Sequence, residues 1–261
     1  MNGQKGFTII EVLLFVAVSA LLLAGVMAGI TTNLNSTRFL ASTKSLENYL
    51  QKQYDDVLAG VAERHTDASC PYSGGGGATQ PPGASDGCVV IGKLVRFTDK
   101  QLLVFPVVSQ MEPTTLCHAD GNGDALAIGR YCPITLSSNR GVDVAEYEYQ
   151  WGVSVAEGNK LQPNGNPADY NALAILRSPA SGNMYTFSFY IPGNTLTQPT
   201  QTRSLYSGDL DKENLNRPAA LCLQSDTAVT RTSYIYLTGG LGADAVRSGD
   251  NPSGLPEGLT C

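Results

Sequence analysis

The sequence predicts an α+β fold: one long N-terminal α-helix, apolar in its first half and amphipathic in its second, packed on a mostly antiparallel β-sheet head. Three observations predict it. No proline occurs before Pro71, so nothing interrupts a helix running from Phe7 to about Arg64. From Thr66 onward the apolar period changes toward two, the spacing of side chains on one face of a strand. All six cysteines lie between Cys70 and Cys261, an even set that reads as disulfides in an oxidising compartment.

Composition narrows the function. Only 15% of the 261 residues are charged, against roughly 25% in an average soluble domain, while 28 Gly and 14 Pro call for many turns. That excludes a coiled coil and a highly charged disordered tail. With 17 basic against 23 acidic residues the net charge is −6, so no intrinsic nucleic-acid binding is expected.

The helix opens with a polar stretch, Met1 to Gly6, that carries a single cation, Lys5. From Phe7 the chain turns apolar, with one interruption at Glu11. No charge follows from Val12 through Thr37, and Val12 to Ile30 is long enough to span about 30 Å of hydrocarbon. Three readings compete. A secretory signal peptide would use Lys5 and the small residues around Val26-Met27-Ala28. Its apolar run is longer than usual, and a carboxylate at its head costs about 2 to 3 kcal/mol on insertion. A plain membrane anchor leaves Glu11 without a purpose. In the third reading Glu11 is the purpose of the segment. Its natural partner is an α-amino group made at Phe7 by cutting after Gly6, about one helical turn away. In a bundle, the carboxylate of an incoming subunit neutralises the amine of the one already assembled. Subunits out of register then leave a buried charge unpaired and are rejected.

The string Lys5-Gly6-Phe7-Thr8-Ile9-Ile10-Glu11, followed by an apolar helix, resembles the cleavage and methylation site of type IV pilins and of the pseudopilins of type II secretion. The resemblance implies cleavage between Gly6 and Phe7 by a prepilin peptidase, methylation of the new Phe7 amine, and assembly through Glu11. Residues 1–6 are then a leader peptide, 7–30 a transmembrane and assembly helix, 31–65 an amphipathic helix and 66–261 a globular head. Loss of Lys5 takes the net charge to −7. The implied function is that of a structural subunit, major or minor, of a type IV pilus-like filament serving adhesion, twitching motility or DNA uptake. A pseudopilin of type II secretion and a tip-located adhesive subunit are the alternatives, and none of these is an enzyme. Implied partners are other pilin subunits, the prepilin peptidase, an inner-membrane platform protein and an assembly ATPase. The subunit is expected to cross the cytoplasmic membrane once, head outside, and then to enter an extracellular filament.

Gly25 and Gly29 form a G-x-x-x-G pair in the membrane half, fit for close helix packing or ordinary membrane composition. Relatives of this kind often carry a proline that unwinds the helix in the filament. Here the two glycines are the only candidates for such a melted stretch. In the second half, Leu46, Leu50, Val57 and Val61 recur at helical spacing between charged residues, an apolar face laid on the head.

Strands are expected at Val89 to Ile91, Leu94 to Phe97, Leu102 to Val108, Val144 to Val155, Ala172 to Leu176, Met184 to Ile191 and Tyr234 to Leu237. Two aromatic alternations stand out: Tyr147, Tyr149 and Trp151, and Tyr185, Phe187 and Phe189. One such face belongs in the core, and an exposed one would suit a partner, a sugar or a stacked base.

Six cysteines allow fifteen connectivities. The simplest joins nearest neighbours: Cys70 with Cys88, Cys117 with Cys132, and Cys222 with Cys261. The last pair also matches the C-terminal loop that pilins commonly bridge. With no C-x-x-C motif, a zinc site is disfavoured. No cofactor is expected. Asp120, Asn122 and Asp124 alternate like the first ligands of a calcium loop, but Ala125 stands where glycine is required and Tyr131 where a bidentate Glu belongs. A structural calcium and a plain Asp/Asn/Gly turn both remain open. Gly83-Ala84-Ser85-Asp86-Gly87 lacks the strand-to-helix elbow of a hydrolase, and too little chain follows Gly240 to Ala245 for a dinucleotide fold.

Overall fold

A computed structural model describes residues 8–60, 88–98, 100–110, 128–140, 143–156, 161–163, 170–193, 195–205, 209–211, 213, 215–225, 231–240, 244–250, 254–256 and 259. Helix α1 is one unbroken element, Ile9–Leu58. It stops short of the expected Arg64 because Gly60 takes a left-handed φ of 69° and its N–H bonds back to the Val57 carbonyl at 3.1 Å. The chain divides into two compact units, Met1–Ala41 and Ser42–Cys261, which are described in turn.

Beyond α1 the described residues form eleven strands: β1 Cys88–Phe97, β2 Gln101–Gln110, β3 Ile134–Thr135, β4 Ala145–Glu148, β5 Val153–Val155, β6 Leu161–Pro163, β7 Ala172–Arg177, β8 Met184–Phe189, β9 Ala219–Ser225, β10 Thr232–Leu237 and β11 Val246–Gly249. Every pairing among them is antiparallel. They make two sheets. The first runs β3-β2-β1-β7-β8, with β4 beside β3 on the outer edge of β2; the second runs β11-β10-β9-β5, with β6 also on β9.

Two expectations are corrected, and one strand lies where none was expected. The two strands expected at Val89 to Ile91 and Leu94 to Phe97 are one strand with a bulge at Ile91, between Val90 and Gly92. There β7 comes so close that a Cβ on Gly92 would run into the Ile175 carbonyl. The expected strand Val144 to Val155 is two strands in different sheets. A tight turn separates them: Trp151 and Gly152 have φ values of 59° and 66°, and the Val153 N–H bonds to the Gln150 carbonyl at 3.2 Å. Finally β9, a strand flanked on both edges in the second sheet, begins Ala219-Ala220, residues too small to advertise a strand.

The first sheet is buried on both faces. Leu94, Leu103, Phe105, Ala174, Leu176 and Phe187 join one core with Ile128, Leu196, Leu205 and Leu210 from connecting segments. That is why β2 reads as an almost continuous apolar run. Arg96 lies on this side, and burial pulls its guanidinium down to about 10, with the Arg203 charge adding to the effect and Tyr190 opposing it. The opposite side meets the second half of α1, where Leu46, Leu50, Tyr54 and Val57 are buried as the helical spacing requires. Burial raises the Tyr54 hydroxyl pKa well above the usual phenol range.

Polar contacts from the same helix reach both sheets. Lys93 of β1 donates to Gln53 Oε1 at 2.9 Å and Asp56 Oδ2 at 2.6 Å. Tyr147 of β4 stacks on Tyr49, with ring centroids 4.5 Å apart, and its hydroxyl donates to Ser45 at 3.1 Å. In the second sheet Thr43 shares a hydrogen bond with Ser233 at 3.0 Å, the Val246 N–H donates to Gln51 Oε1 at 3.2 Å, and Ser248 donates to Glu47. Asn216, on the segment that leads into β9, is tied to the first sheet, its Oδ1 accepting from the Thr186 N–H at 3.0 Å while its own N–H donates to the Thr186 carbonyl at 2.7 Å.

Candidate functional site

The described part of the first unit begins at Thr8, which caps α1. Its hydroxyl accepts from the Glu11 N–H at 3.3 Å, while its own N–H and hydroxyl donate to Glu11 Oε2 at 3.0 and 3.1 Å. This is a reciprocal capping box, Thr-x-x-Glu, which satisfies backbone donors that a helix start leaves unpaired. The Val12 N–H then makes the first regular helical bond, to the Thr8 carbonyl at 3.2 Å. One carboxylate oxygen of Glu11 is thus held by Thr8, and Oε1 has no donor among the described residues. The Thr-x-x-Glu spacing at Thr8 and Glu11 is the signal of this cap in the sequence.

The helix that follows is long and apolar enough to cross a membrane. Ile9, Phe15, Leu21 and Leu22 are exposed, as they must be if lipid or other helices are to cover them. Gly25 and Gly29 lie inside unbroken helix, and a Cβ at either would meet nothing within 4 Å. Further along, the hydroxyls of Thr31, Thr32 and Thr37 donate back to the carbonyls of Met27, Ala28 and Asn33 at 2.8 to 3.0 Å. These bonds satisfy the hydroxyls within the helix and soften its backbone ladder.

Gly6 and Phe7 lie outside the described residues, as do Cys70, Cys117, Cys261, Val61, and the Asp120, Asn122, Asp124 set. Cys88 opens β1, and Cys132 and Cys222 are both disulfide-bonded. Among the described residues no group of three His, Cys, Asp or Glu side chains is placed to hold a metal. The aromatic alternations separate: Phe187 and Phe189 are core, Tyr147 packs on the helix, and Trp151 sits on the turn, 57% exposed. Lys93 is a functional contact the sequence signals only as a lone charge inside an apolar strand run.

A family model described as the prokaryotic N-terminal methylation motif matches residues 1–27. No curated protein and no solved structure matches the chain. With its capped Glu11 at the head of a membrane-length helix, the chain carries the N-terminal processing and methylation signature of type IV pilins and prepilins.

Proposed function

We propose that this protein is a structural subunit of a type IV pilus-like filament, processed by a prepilin peptidase and assembled through its N-terminal helix. The methylation motif at residues 1–27 carries the reading. Cleavage between Gly6 and Phe7 frees an amine, and N-methylation leaves it cationic. Glu11, with one oxygen tied to Thr8, offers the other to the amine of a subunit already in the filament. Pairing removes two charges from a low-dielectric bundle at one axial offset only, so the same interaction drives extraction from the membrane and sets the register. The head then lies outside the cytoplasm, where oxidising conditions suit the pairs Cys70–Cys88, Cys117–Cys132 and Cys222–Cys261. Gly25 and Gly29 are the positions at which the helix packs closely or unwinds in the filament.

Mass spectrometry of the protein from its own cell tests the processing: the expected chain starts at Phe7 with one added methyl group. A start at Gly29 would replace this reading with a cleaved signal peptide. Glu11→Val tests assembly, with membrane insertion expected to persist and filament entry to stop. Wild-type filament yield from that variant would remove Glu11 from the mechanism.

A further inference from the structure

Strand β1 extends past the end of β7. The β1–β7 register covers Gly92 to Arg96, whereas Cys88, Val89 and Val90 pair with β2 alone. The bulge at Ile91 marks the change, and β7 ends at Arg177 in a tight turn. That turn is closed by the Gly182 N–H on the Ser178 carbonyl, 2.9 Å, and by Arg177 Nε on the Gly182 carbonyl, 3.1 Å. Cys88 to Ile91 therefore presents, on the side where β7 would continue, a strand edge of about 13 Å with no strand paired to it among the described residues.

This edge is one wall of a cleft of about 370 Å³. Val57 and Gly60 line it from the end of α1, Lys93 and Val104 from the sheet, and Ser178 and Pro179 from the turn. The volume lies within the roughly 300 to 1,000 Å³ of ligand clefts. Its charges are unevenly matched. Lys93 is answered by Asp56, but Arg177, on the open-edge side, has no carboxylate at ion-pair distance among the described residues. Asp143, on the segment that leads into β4, also lines the cleft, and no ion pair joins it to Arg177 among the described residues.

We infer that this cleft binds an extended peptide segment of another polypeptide, which adds as a short strand to the Cys88–Ile91 edge and sets an acidic side chain against Arg177. The backbone edge supplies affinity without sequence preference. Alternate side chains of the added strand enter the apolar space between Val57 and Val104, and Arg177 supplies the selection for acid. An open edge beside a bulge and a preformed apolar space is the arrangement that strand addition uses. The inference goes beyond filament assembly and does not depend on Glu11.

The test uses the detergent-solubilised full chain and three fluorescein-labelled peptides, read by anisotropy: Val-Thr-Val-Thr-Asp, the same peptide N-methylated at alternate amides, and the same peptide ending in Lys. Saturable binding of the first is expected, weakened about tenfold or more by N-methylation, which removes the ladder donors. Replacement of Asp by Lys is expected to weaken it about fivefold. Arg177→Gln should abolish the preference for Asp over Lys, and Arg177→Lys should retain it. No saturable binding, equal binding of the N-methylated peptide, or a preference for acid that survives Arg177→Gln would each overturn the inference.

Discussion

Lys93 Nζ lies 2.6 Å from Asp56 Oδ2, joining the central strand of one sheet to the helix at a site where both side chains are largely covered. Gln53 takes a second ammonium proton, so the helix supplies acceptors for two of the three. Removing one partner strands the other. Asp56→Leu or Lys93→Met is expected to cost about 3 kcal/mol or more, whereas the double variant should recover most of that loss. For a unit of this size, each kcal/mol moves Tm by about 2 to 4 °C, so thermal melts of the three variants check it. Equal losses in the single and double variants would show that the ion pair does not couple the two elements.

Tyr54 supplies a pH prediction. Its hydroxyl is buried without a hydrogen-bond partner, and burial raises its folded pKa above the usual value of about 10. The folded chain keeps this proton where the unfolded chain loses it, so the contribution is whole below about pH 10 and is lost as pH rises further. Arg96 acts in reverse above about pH 10, since the folded chain releases that proton before the unfolded chain does. Tyr54→Phe is expected to gain about 1 kcal/mol at pH 7, because it deletes an unpaired buried oxygen, and to flatten the decline in Tm between pH 9 and 11. An unchanged alkaline decline would locate its cause elsewhere.

At the helix mouth, Thr8→Val removes the hydroxyl that caps Glu11 and that donates to its carboxylate, while leaving the side-chain volume nearly unchanged. The loss is expected to be about 1 kcal/mol of helix start, seen as roughly a fivefold fall in sheared-filament yield at normal membrane insertion. Thr8→Ser, which keeps the hydroxyl, should restore the yield. If Ser and Val behave alike, the cap has no part in assembly.

Glycine substitutions separate packing in the head from behaviour in the helix. Gly92→Ala forces β7 away from β1 at the Ile175 carbonyl and is expected to lose about 2 to 3 kcal/mol in a thermal melt. Gly25→Ala and Gly29→Ala meet nothing, and each should stabilise the isolated helix by about 1 kcal/mol. A drop in filament yield from these helix-favouring variants would identify close packing or unwinding at that point.

Much of this was legible before any coordinates. The four- and seven-residue spacings of Leu46, Leu50 and Val57 predicted the buried helical face, and Pro71 as the first proline allowed a single long helix. What escaped was local backbone chemistry. Gly60 ended the helix through a left-handed φ, a stop signal weaker to the eye than a proline. Trp151, a bulky residue with positive φ, hid a turn inside an apparent strand. At the N-terminus the motif was plain because its residues do chemistry at fixed spacing. The open edge of β1 was not, because it depends on where β7 stops rather than on any residue type.

The two sheets share no strand, yet Thr43, Glu47, Gln51 and Asp56 tie the same stretch of helix to one or the other over about 20 Å. A pull along the helix axis meets these attachments side by side, as shear distributed over the stretch, instead of peeling them one after another. Tension carried by such a rod is therefore divided between two sheets, and neither must unravel for the other to hold.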